Sequence, residues 1–292
     1  MDQRLEAHHK HGNTVKKRSH RRSLSLQSFQ FSSMSGFTTP PRHLDPTTPL
    51  HFRVKQYESD VPIMMSNKFI PLSHQLTTPI QQTPVEDVPG AFVLSNFLTP
   101  EECQAFIDIG EGMGFQPAKV STTGGGMQTM TGVRNNERVV WQCKEEWLEA
   151  LRHRYLPFLP ANDHPHFPPG YESESCGLNC RLRLYKYTKG QRFVPHFDGG
   201  YRQSESVRSW MTCIVYLQAP EEGCGHTVFF KRTTGQPVAS VAPVPGSALF
   251  FWHEEHPLSP QHSGQLVTAG TKYALRSDVM FRRQEVVAVT AK

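Results

Sequence analysis

The pattern of hydrophobic and polar positions divides the chain into a polar first part and a second part with regular elements. Up to roughly residue 85, apolar side chains are sparse and follow neither a helical nor a strand period. A segment of this kind cannot bury enough apolar surface to offset the entropy of ordering its chain. We therefore predict a disordered tail over residues 1–85 and one folded domain over residues 86–292.

Two helices are predicted near the start of the domain. Thr99 can cap a helix, Pro100 suits the first helical position, and Glu102 completes a capping box. Apolar or small residues then recur at helical spacing, so this helix is predicted to run to about Gly112. A second helix is predicted over residues 144–156, with Pro157 ending it because proline lacks the backbone N–H that a helix interior needs.

After Gly177 the pattern changes to short apolar runs separated by turn residues. Aromatic and β-branched residues are frequent in these runs, as is typical of strands. Successive short strands after two helices predict a mainly β domain, a sandwich or barrel with helices packed on one side. The predicted strands are Arg181–Tyr187, Trp210–Leu217, His226–Phe230, Ser247–Trp252 and Lys272–Phe281.

The net charge of +5 comes entirely from the first 60 residues, which hold 10 Lys+Arg against 5 Asp+Glu. Residues 16–22 (K-K-R-S-H-R-R) are either a nuclear-import or polyanion-binding patch, or a solvated charge run in a tail. Residues 21–25 (R-R-S-L-S) resemble a basic-directed phosphorylation site. Beyond this tail the charges balance, so the sequence does not indicate a nucleic-acid partner.

The sequence contains no apolar signal segment at its start and no run of about 18 apolar residues. We therefore expect no membrane partner and a cytoplasmic or nuclear protein, with an organelle transit peptide as the open alternative. The six cysteines are then expected to be reduced thiols. Cys176 and Cys180 could form half of a zinc site, but the sequence offers no second Cys/His pair at suitable spacing.

His196 and Asp198, in V-P-H-F-D-G-G, are candidate metal ligands. Two side chains at this spacing share a face only in an extended chain, and the segment follows a predicted strand and a turn at Gly190. The same triplet at residues 43–45 lies among prolines and threonines without an alternating pattern, so we interpret it as a chance occurrence. Two histidines with one carboxylate suit non-haem Fe(II). This segment supplies one histidine and the carboxylate, so the second histidine must come from elsewhere in the chain.

Four stretches, in order, resemble the 2-oxoglutarate- and Fe(II)-dependent dioxygenases, specifically the prolyl 4-hydroxylase-like group. They are residues 187–198 (Y-T-K-G-Q-R-F-V-P-H-F-D), 211–217 (M-T-C-I-V-Y-L), 243–251 (P-V-P-G-S-A-L-F-F) and 262–273 (H-S-G-Q-L-V-T-A-G-T-K-Y). The resemblance covers roughly residues 88–283. It implies a double-stranded β-helix, the jelly-roll or cupin-like fold, with flanking N-terminal helices.

The resemblance also implies Fe(II), 2-oxoglutarate and O₂, with ascorbate as a candidate additional cofactor. Iron would be held by His196, Asp198 and His262. His253 and His256, in W-H-E-E-H-P, compete for the distal position. We prefer His262 because a strand follows it and because a basic residue lies ten positions further on, where the family places its anchor for the cosubstrate.

The basic anchor is Lys272 or Arg276, which are four apart on a predicted strand and therefore share a face. The family comparison favours Lys272, while Arg276 could share or replace it. Either would pair with the distal carboxylate of 2-oxoglutarate. Tyr187 and Tyr216 match positions whose hydroxyls reach the cosubstrate, although both could instead be packing residues of the sheet.

The implied reaction is hydroxylation of an unknown substrate with release of succinate and CO₂. A prolyl residue of a peptide or protein is one candidate substrate, although a shared fold does not fix a substrate. A demethylase on the same fold, a non-catalytic module with a vestigial site and a small-molecule-binding cupin are the alternatives. Asp198 argues against a halogenase, because its carboxylate would fill the position that chloride needs.

Overall fold

The computed structural model describes residues 63–65, 70, 72–73, 75–121, 127–221 and 223–284. The basic cluster at residues 16–22, the phosphorylation site at residues 21–25 and most of the predicted tail lie outside the described residues. In chain order the elements are β1 (Ile63–Met65), β2 (Gln81–Pro84), β3 (Phe92–Ser95), α1 (Pro100–Met113), β4 (Gln116–Pro117), β5 (Val120–Ser121), β6 (Met127–Gln128), β7 (Glu137–Gln142), α2 (Glu149–Tyr155), β8 (Tyr171–Leu178), β9 (Arg181–Tyr187), β10 (Phe193–His196), β11 (Val207–Gln218), β12 (Thr227–Phe230), β13 (Pro237–Val241), β14 (Ala248–Trp252), β15 (Gln261–Gly264) and β16 (Lys272–Arg283).

Two mainly antiparallel sheets build the domain. The large sheet has the order β1-β7-β9-β16-β11-β14-β3-β2, with β4 paired to β7 and β8 paired to β16. The small sheet has the order β10-β15-β12-β13, and β5 and β6 pair separately. Within the large sheet, β1 joins β7 in parallel while the other pairs are antiparallel. The mainly β class and the double-stranded β-helix predicted from the sequence are confirmed.

Successive side chains along a strand point to opposite faces of the sheet, and the two faces of the large sheet have different neighbours. On the outer face, Trp141 of β7 packs against Phe106 of α1 with ring centroids 6.4 Å apart. On the inner face, Phe251 of β14 meets Phe229 of β12 edge-on at 5.5 Å, which joins the two sheets. The helices therefore cover one face of the large sheet and the small sheet covers the other.

Helix α1 begins as the sequence predicts. The Glu102 N–H donates to Thr99 Oγ1 at 3.2 Å, and the Thr99 N–H donates to Glu102 Oε2 at 2.9 Å, so both bonds of the capping box are made. The helix ends at Met113, one residue past the predicted Gly112, and Gly114 follows with a φ of 80°. A positive φ favours glycine because it has no Cβ.

The second helix differs from the prediction of one continuous helix over residues 144–156. A 3₁₀ turn at Glu145–Leu148 precedes α2, and a second 3₁₀ turn at Leu156–Phe158 follows it. Pro157 lies inside that last turn and does not end the helical run. The reason is positional, because a proline in the first turn of a helical segment loses no hydrogen bond.

The strand predictions are confirmed to within a few residues. The bounds of β9 match, while β11 begins at Val207 rather than Trp210 and β16 continues past Phe281 to Arg283. Two strands, β1 and β2, precede the boundary predicted at residue 86 and pair with the large sheet. Strand β2 has the sequence Q-Q-T-P and is exposed throughout, so its residues show no hydrophobic alternation.

No helix in the described ranges combines the length and the hydrophobicity that a membrane crossing requires. All six cysteines are described, and none of them forms a disulfide.

Candidate active site

Two histidines from neighbouring strands of the small sheet face each other. Strands β10 and β15 pair antiparallel, with His196 directly opposite His262. Their rings are 4.3 Å apart, and the His196 ring also stacks on Phe193 at 3.6 Å. Strand pairing thus brings together two residues that are far apart in the sequence. Asp198 lies two residues after His196, the last residue of β10.

The donor atoms of these three residues converge. Nε2 of His196 is 3.6 Å from Oδ1 of Asp198, and Nε2 of His262 is 3.6 Å from Oδ2 of Asp198. All three donor atoms lie within 4.8 Å of one another. Adjacent ligands of an octahedral ion with bonds of about 2.1 Å are roughly 3 Å apart, so this arrangement can hold a divalent metal ion after a small contraction.

Hydrogen bonds fix which ring nitrogen of each histidine is available. Nδ1 of His196 lies 2.9 Å from the Val194 carbonyl, and Nδ1 of His262 lies 3.3 Å from the Pro260 carbonyl. A carbonyl oxygen only accepts, so Nδ1 carries the proton and Nε2 offers its lone pair toward Asp198. Burial lowers the pKa of His262 to about 3, which keeps the ring neutral as a metal ligand requires.

Asp198 is held as an oriented carboxylate. Burial alone would raise its pKa, but Arg276, His262 and His196 hold the pKa well below its usual range. Nη1 of Arg276 is 3.1 Å from Oδ1 of Asp198, and Thr212 donates its hydroxyl to Oδ2 at 2.9 Å. The carboxylate is therefore negatively charged and held on both oxygens.

The structure groups His262, and neither of its two competitors, with His196 and Asp198. His253 is fully buried behind Thr212, with Nδ1 3.0 Å from Thr212 Oγ1 and Nε2 2.9 Å from a serine hydroxyl. Because Thr212 gives its proton to Asp198, His253 supports the orientation of that hydroxyl. His256 stacks on Trp252 at 4.0 Å, away from the three donor atoms.

Lys272 lies in the same cleft, buried and without a carboxylate partner among the described residues. Its Nζ donates to the Gly225 carbonyl at 2.6 Å and lies 5.6 Å from the ring of Tyr187 and 5.2 Å from the ring of Tyr216. Burial lowers the pKa of Lys272 to about 8. An ammonium group in this setting can accept an anionic partner.

Arg276, the other candidate anchor, is already neutralised. Besides its contact with Asp198, its Nη2 lies 3.1 Å from Asp278 Oδ1 and 3.3 Å from the Gly199 carbonyl. Tyr187 lines the cleft, whereas the hydroxyl of Tyr216 is fully buried and bonds to Thr227 Oγ1 at 2.8 Å.

Three further residues of the site escaped the sequence predictions: Arg134, Tyr185 and Thr212. Tyr185 is two positions before Tyr187 on β9, so strand alternation could have placed it on the same face. Thr212 lies in the 211–217 stretch but carries no signal of its own. Arg134 precedes β7 and reaches the cleft only through the tertiary fold.

Comparison with known proteins gives consistent results. The model of the 2OG-Fe(II) oxygenase superfamily matches residues 182–277. The probable prolyl 4-hydroxylase 3 of Arabidopsis thaliana is 26% identical over 214 residues, which cover 64% of this chain and 67% of that protein. The probable prolyl 4-hydroxylase 11 of the same plant is 28% identical over 175 residues, 56% of each chain.

Among solved structures, the viral collagen prolyl hydroxylase of Paramecium bursaria Chlorella virus-1, in its 2OG complex, is 22% identical with a TM-score of 0.46. That match covers 67% of this chain and 98% of the viral one. The superfamily match spans β9 to the middle of β16, the part that carries His196, Asp198, His262 and Lys272. The superfamily match and the relatives together support a prolyl 4-hydroxylase-like 2-oxoglutarate/Fe(II) oxygenase, an oxidoreductase of the dioxygenase class.

Proposed function

We propose that this enzyme hydroxylates a peptide or protein, with a prolyl residue as the favoured target. Membership of the superfamily implies Fe(II), 2-oxoglutarate and O₂. In the proposed reaction one oxygen atom enters the substrate as a hydroxyl group and the other enters succinate, while 2-oxoglutarate loses CO₂. The names of the plant relatives support proline as the target.

The observation that carries the proposal is the buried ammonium group of Lys272, which lies in the same cleft as the three donor atoms and contacts no carboxylate among the described residues. A buried cation without a counter-ion is costly unless a ligand supplies the negative charge. 2-Oxoglutarate carries two carboxylates, and Lys272 would bind the one distal to its keto group. Arg276 is the weaker candidate, since Asp198 and Asp278 already balance its charge.

Each residue of the site has a role in this proposal. His196, Asp198 and His262 would hold Fe(II). Bound there, Fe(II) would supply the redox chemistry that activates O₂. Thr212 and Arg276 keep the Asp198 carboxylate oriented, and the rings of Tyr187 and Tyr216 shield the Lys272 ammonium group from water.

The proposal is tested by incubating the protein with Fe(II), 2-oxoglutarate, ascorbate and proline-containing peptides. We expect succinate in equal amount to a peptide product that is heavier by one oxygen atom. A substrate that loses a methyl group and releases formaldehyde would instead identify a demethylase.

The controls use one histidine of the site and one outside it. His196→Ala should abolish succinate formation because it removes a metal ligand. His166→Ala should keep full activity, since that side chain is exposed and away from the cleft. Equal activity in both variants would contradict the assignment of the site.

A further inference from the structure

Four arginines surround the Tyr185 side chain on the inner face of the large sheet. We call them the arginine cluster: Arg134, Arg138, Arg183 and Arg276. Arg138 on β7 is directly opposite Tyr185 on β9, and Arg183 on β9 is directly opposite Arg276 on β16. Strand alternation gives Arg183, Tyr185 and Tyr187 the same face of β9, which is the face toward the candidate metal ligands.

Arg134 packs against two aromatic rings of the cleft. The Arg134 guanidinium lies 4.7 Å from the centre of the Tyr185 ring and 4.2 Å from that of Phe193. Burial alone would raise the pKa of Tyr185, but the charges of Arg134, Arg276, Arg183 and Arg138 lower it to about 8. Positive charge therefore outweighs negative charge around the Tyr185 hydroxyl.

Among the residues that the structure describes, carboxylates contact only two of the four arginines of the cluster. Arg276 pairs with Asp198 and Asp278, and Arg183 pairs with Asp278 at 3.1 Å. Arg134 has a neutral partner instead, because its Nε donates to the side-chain oxygen of Asn136 at 2.7 Å.

Arg134 and Arg138 each keep an unused donor. Nη2 of Arg134 and Nε of Arg138 are buried and have no hydrogen-bond partner in the part of the chain that the structure describes, and the two residues are only 5% and 7% exposed. A buried guanidinium without a counter-ion costs several kcal/mol relative to a paired one. Such a cost is offset when an anionic ligand enters the site, and guanidinium groups bind carboxylates in a bidentate manner.

This anion would be a second ligand beside 2-oxoglutarate. Tyr185, at the centre of the cluster, is directly opposite Ala274 on β16, two residues or roughly 7 Å along the strand from Lys272. In the proposed function the distal carboxylate of the cosubstrate binds Lys272, so Arg134 and Arg138, which contact no carboxylate among the described residues, are left for a second anion. Arg134 lines the cleft together with His196 and Asp198, so the second anion must reach the vicinity of the reacting atoms.

We propose that the arginine cluster binds an Asp or Glu carboxylate located close to the residue that is hydroxylated, so that the enzyme selects acidic peptides. This inference rests on the proposed peptide hydroxylation. A carboxylate entering the cleft would contact Arg134 directly, and Arg138 would add its charge from behind Tyr185.

The test compares blocked proline peptides that differ in one residue, Glu, Gln, Lys or phosphoserine, placed at each position flanking the proline. We expect kcat/KM for the best Glu peptide to exceed that for its Gln counterpart by about tenfold, the value of one charge-assisted contact. Arg134→Gln should reduce this preference to less than about twofold, while Arg134→Lys should keep part of it. Arg283→Gln, a substitution at an exposed arginine outside the cleft, should leave the preference unchanged.

Each other outcome has a definite meaning. Hydroxylation of Glu and Gln peptides at equal rates, or a preference for Lys, would overturn the inference and leave peptide hydroxylation standing. A preference for the phosphoserine peptide over the Glu peptide would overturn the inference, because the anion that the cluster selects would then be a phosphate and not a carboxylate. A loss of 2-oxoglutarate affinity in Arg134→Gln would assign the cluster to the cosubstrate. If no peptide of the set is hydroxylated, both the inference and the proposed function fail.

Discussion

At the scale of single residues, charge balance distinguishes side chains that the sequence leaves equivalent. Lys272 and Arg276 share one face of β16, and their spacing alone assigns the anchor to neither. In the fold, Arg276 contacts two carboxylates whereas Lys272 contacts a carbonyl and two aromatic rings. The difference depends on Asp278, two positions after Arg276 on β16 itself, and on Asp198, which follows β10 and contacts Arg276 only in the folded domain.

The lowered pKa of Lys272 predicts how binding of 2-oxoglutarate depends on pH. Burial lowers this pKa to about 8, so the ammonium group is charged below that value and loses its proton as the pH rises through it. A dianionic cosubstrate needs the charged form. We therefore expect the Kd for 2-oxoglutarate to increase about tenfold between about pH 7 and about pH 9.

Lys272→Arg provides the control, because an arginine keeps its charge throughout this range. Its Kd, whatever its absolute value, should be nearly independent of pH. The measurement is an anaerobic binding titration at several pH values. An identical rise in Kd for this variant would mean that a different group titrates.

At the scale of elements, the strands that carry the site were the hardest to predict. Strand β9 is rich in aromatic and aliphatic residues and was predicted with its observed bounds. Strands β10 and β15 have the sequences F-V-P-H and Q-H-S-G, which show no strong hydrophobic alternation. Polar residues occupy these strands because they face the cleft. The position of His262 therefore came from the family resemblance and not from periodicity.

Helix α1 is fixed to the rest of the domain by a buried ion pair as well as by its cap. Both side-chain oxygens of Glu102 accept from Arg154, at 2.7 and 2.8 Å, and the two side chains are almost fully buried. Glu102→Gln should therefore cost about 3–5 kcal/mol of the free energy of unfolding, because Arg154 would lose its counter-ion. Thr99→Ala removes only a cap and should cost about 1 kcal/mol.

Urea denaturation of these variants measures both effects. Burial would raise the pKa of Glu102, but hydrogen bonds from Arg154, Thr99 and Ser73 lower it overall. A carboxylate with a lowered pKa stabilises the fold above its unfolded-state value and loses this effect as the pH falls through its folded-state value. The wild type and Glu102→Gln should thus converge in acid. A cost for Glu102→Gln no larger than for Thr99→Ala would contradict the role of the ion pair.

At the scale of the whole molecule, the sequence was sufficient for the class of fold but not for the arrangement within the cleft. Apolar runs of strand length predict two sheets, whatever their exact pairing. The arginine cluster depends on the register of β7, β9 and β16, which sets Arg138 beside Tyr185 and Arg183 beside Arg276. Register is a property of the assembled sheet, so no local pattern could predict it.

The packing between the two sheets couples stability to the site. Phe229 is fully buried and contacts both Phe251 and the His262 ring, at 5.5 and 6.0 Å. Phe229→Ala should cost about 3–5 kcal/mol and should also weaken Fe(II) binding, since His262 loses a neighbour that fixes its ring. Thermal unfolding with and without Fe(II) measures the two effects. Val244→Ala, at a residue that is 58% exposed, should change neither. Unchanged metal affinity in Phe229→Ala would show that packing between the sheets does not affect metal binding.

In the proposed site His196, Asp198 and His262 bind Fe(II) while Lys272 binds the far carboxylate of 2-oxoglutarate, and one measurement can test this assignment. Anaerobic titration of 2-oxoglutarate into the Fe(II)-loaded protein, followed by the visible absorption of the chelate, tests it most directly. We expect saturable binding that is absent in His196→Ala and weakened by about tenfold to a hundredfold in Lys272→Met, the range of a charge-assisted contact. Binding that survives in His196→Ala, or that is unaffected in Lys272→Met, would contradict the account.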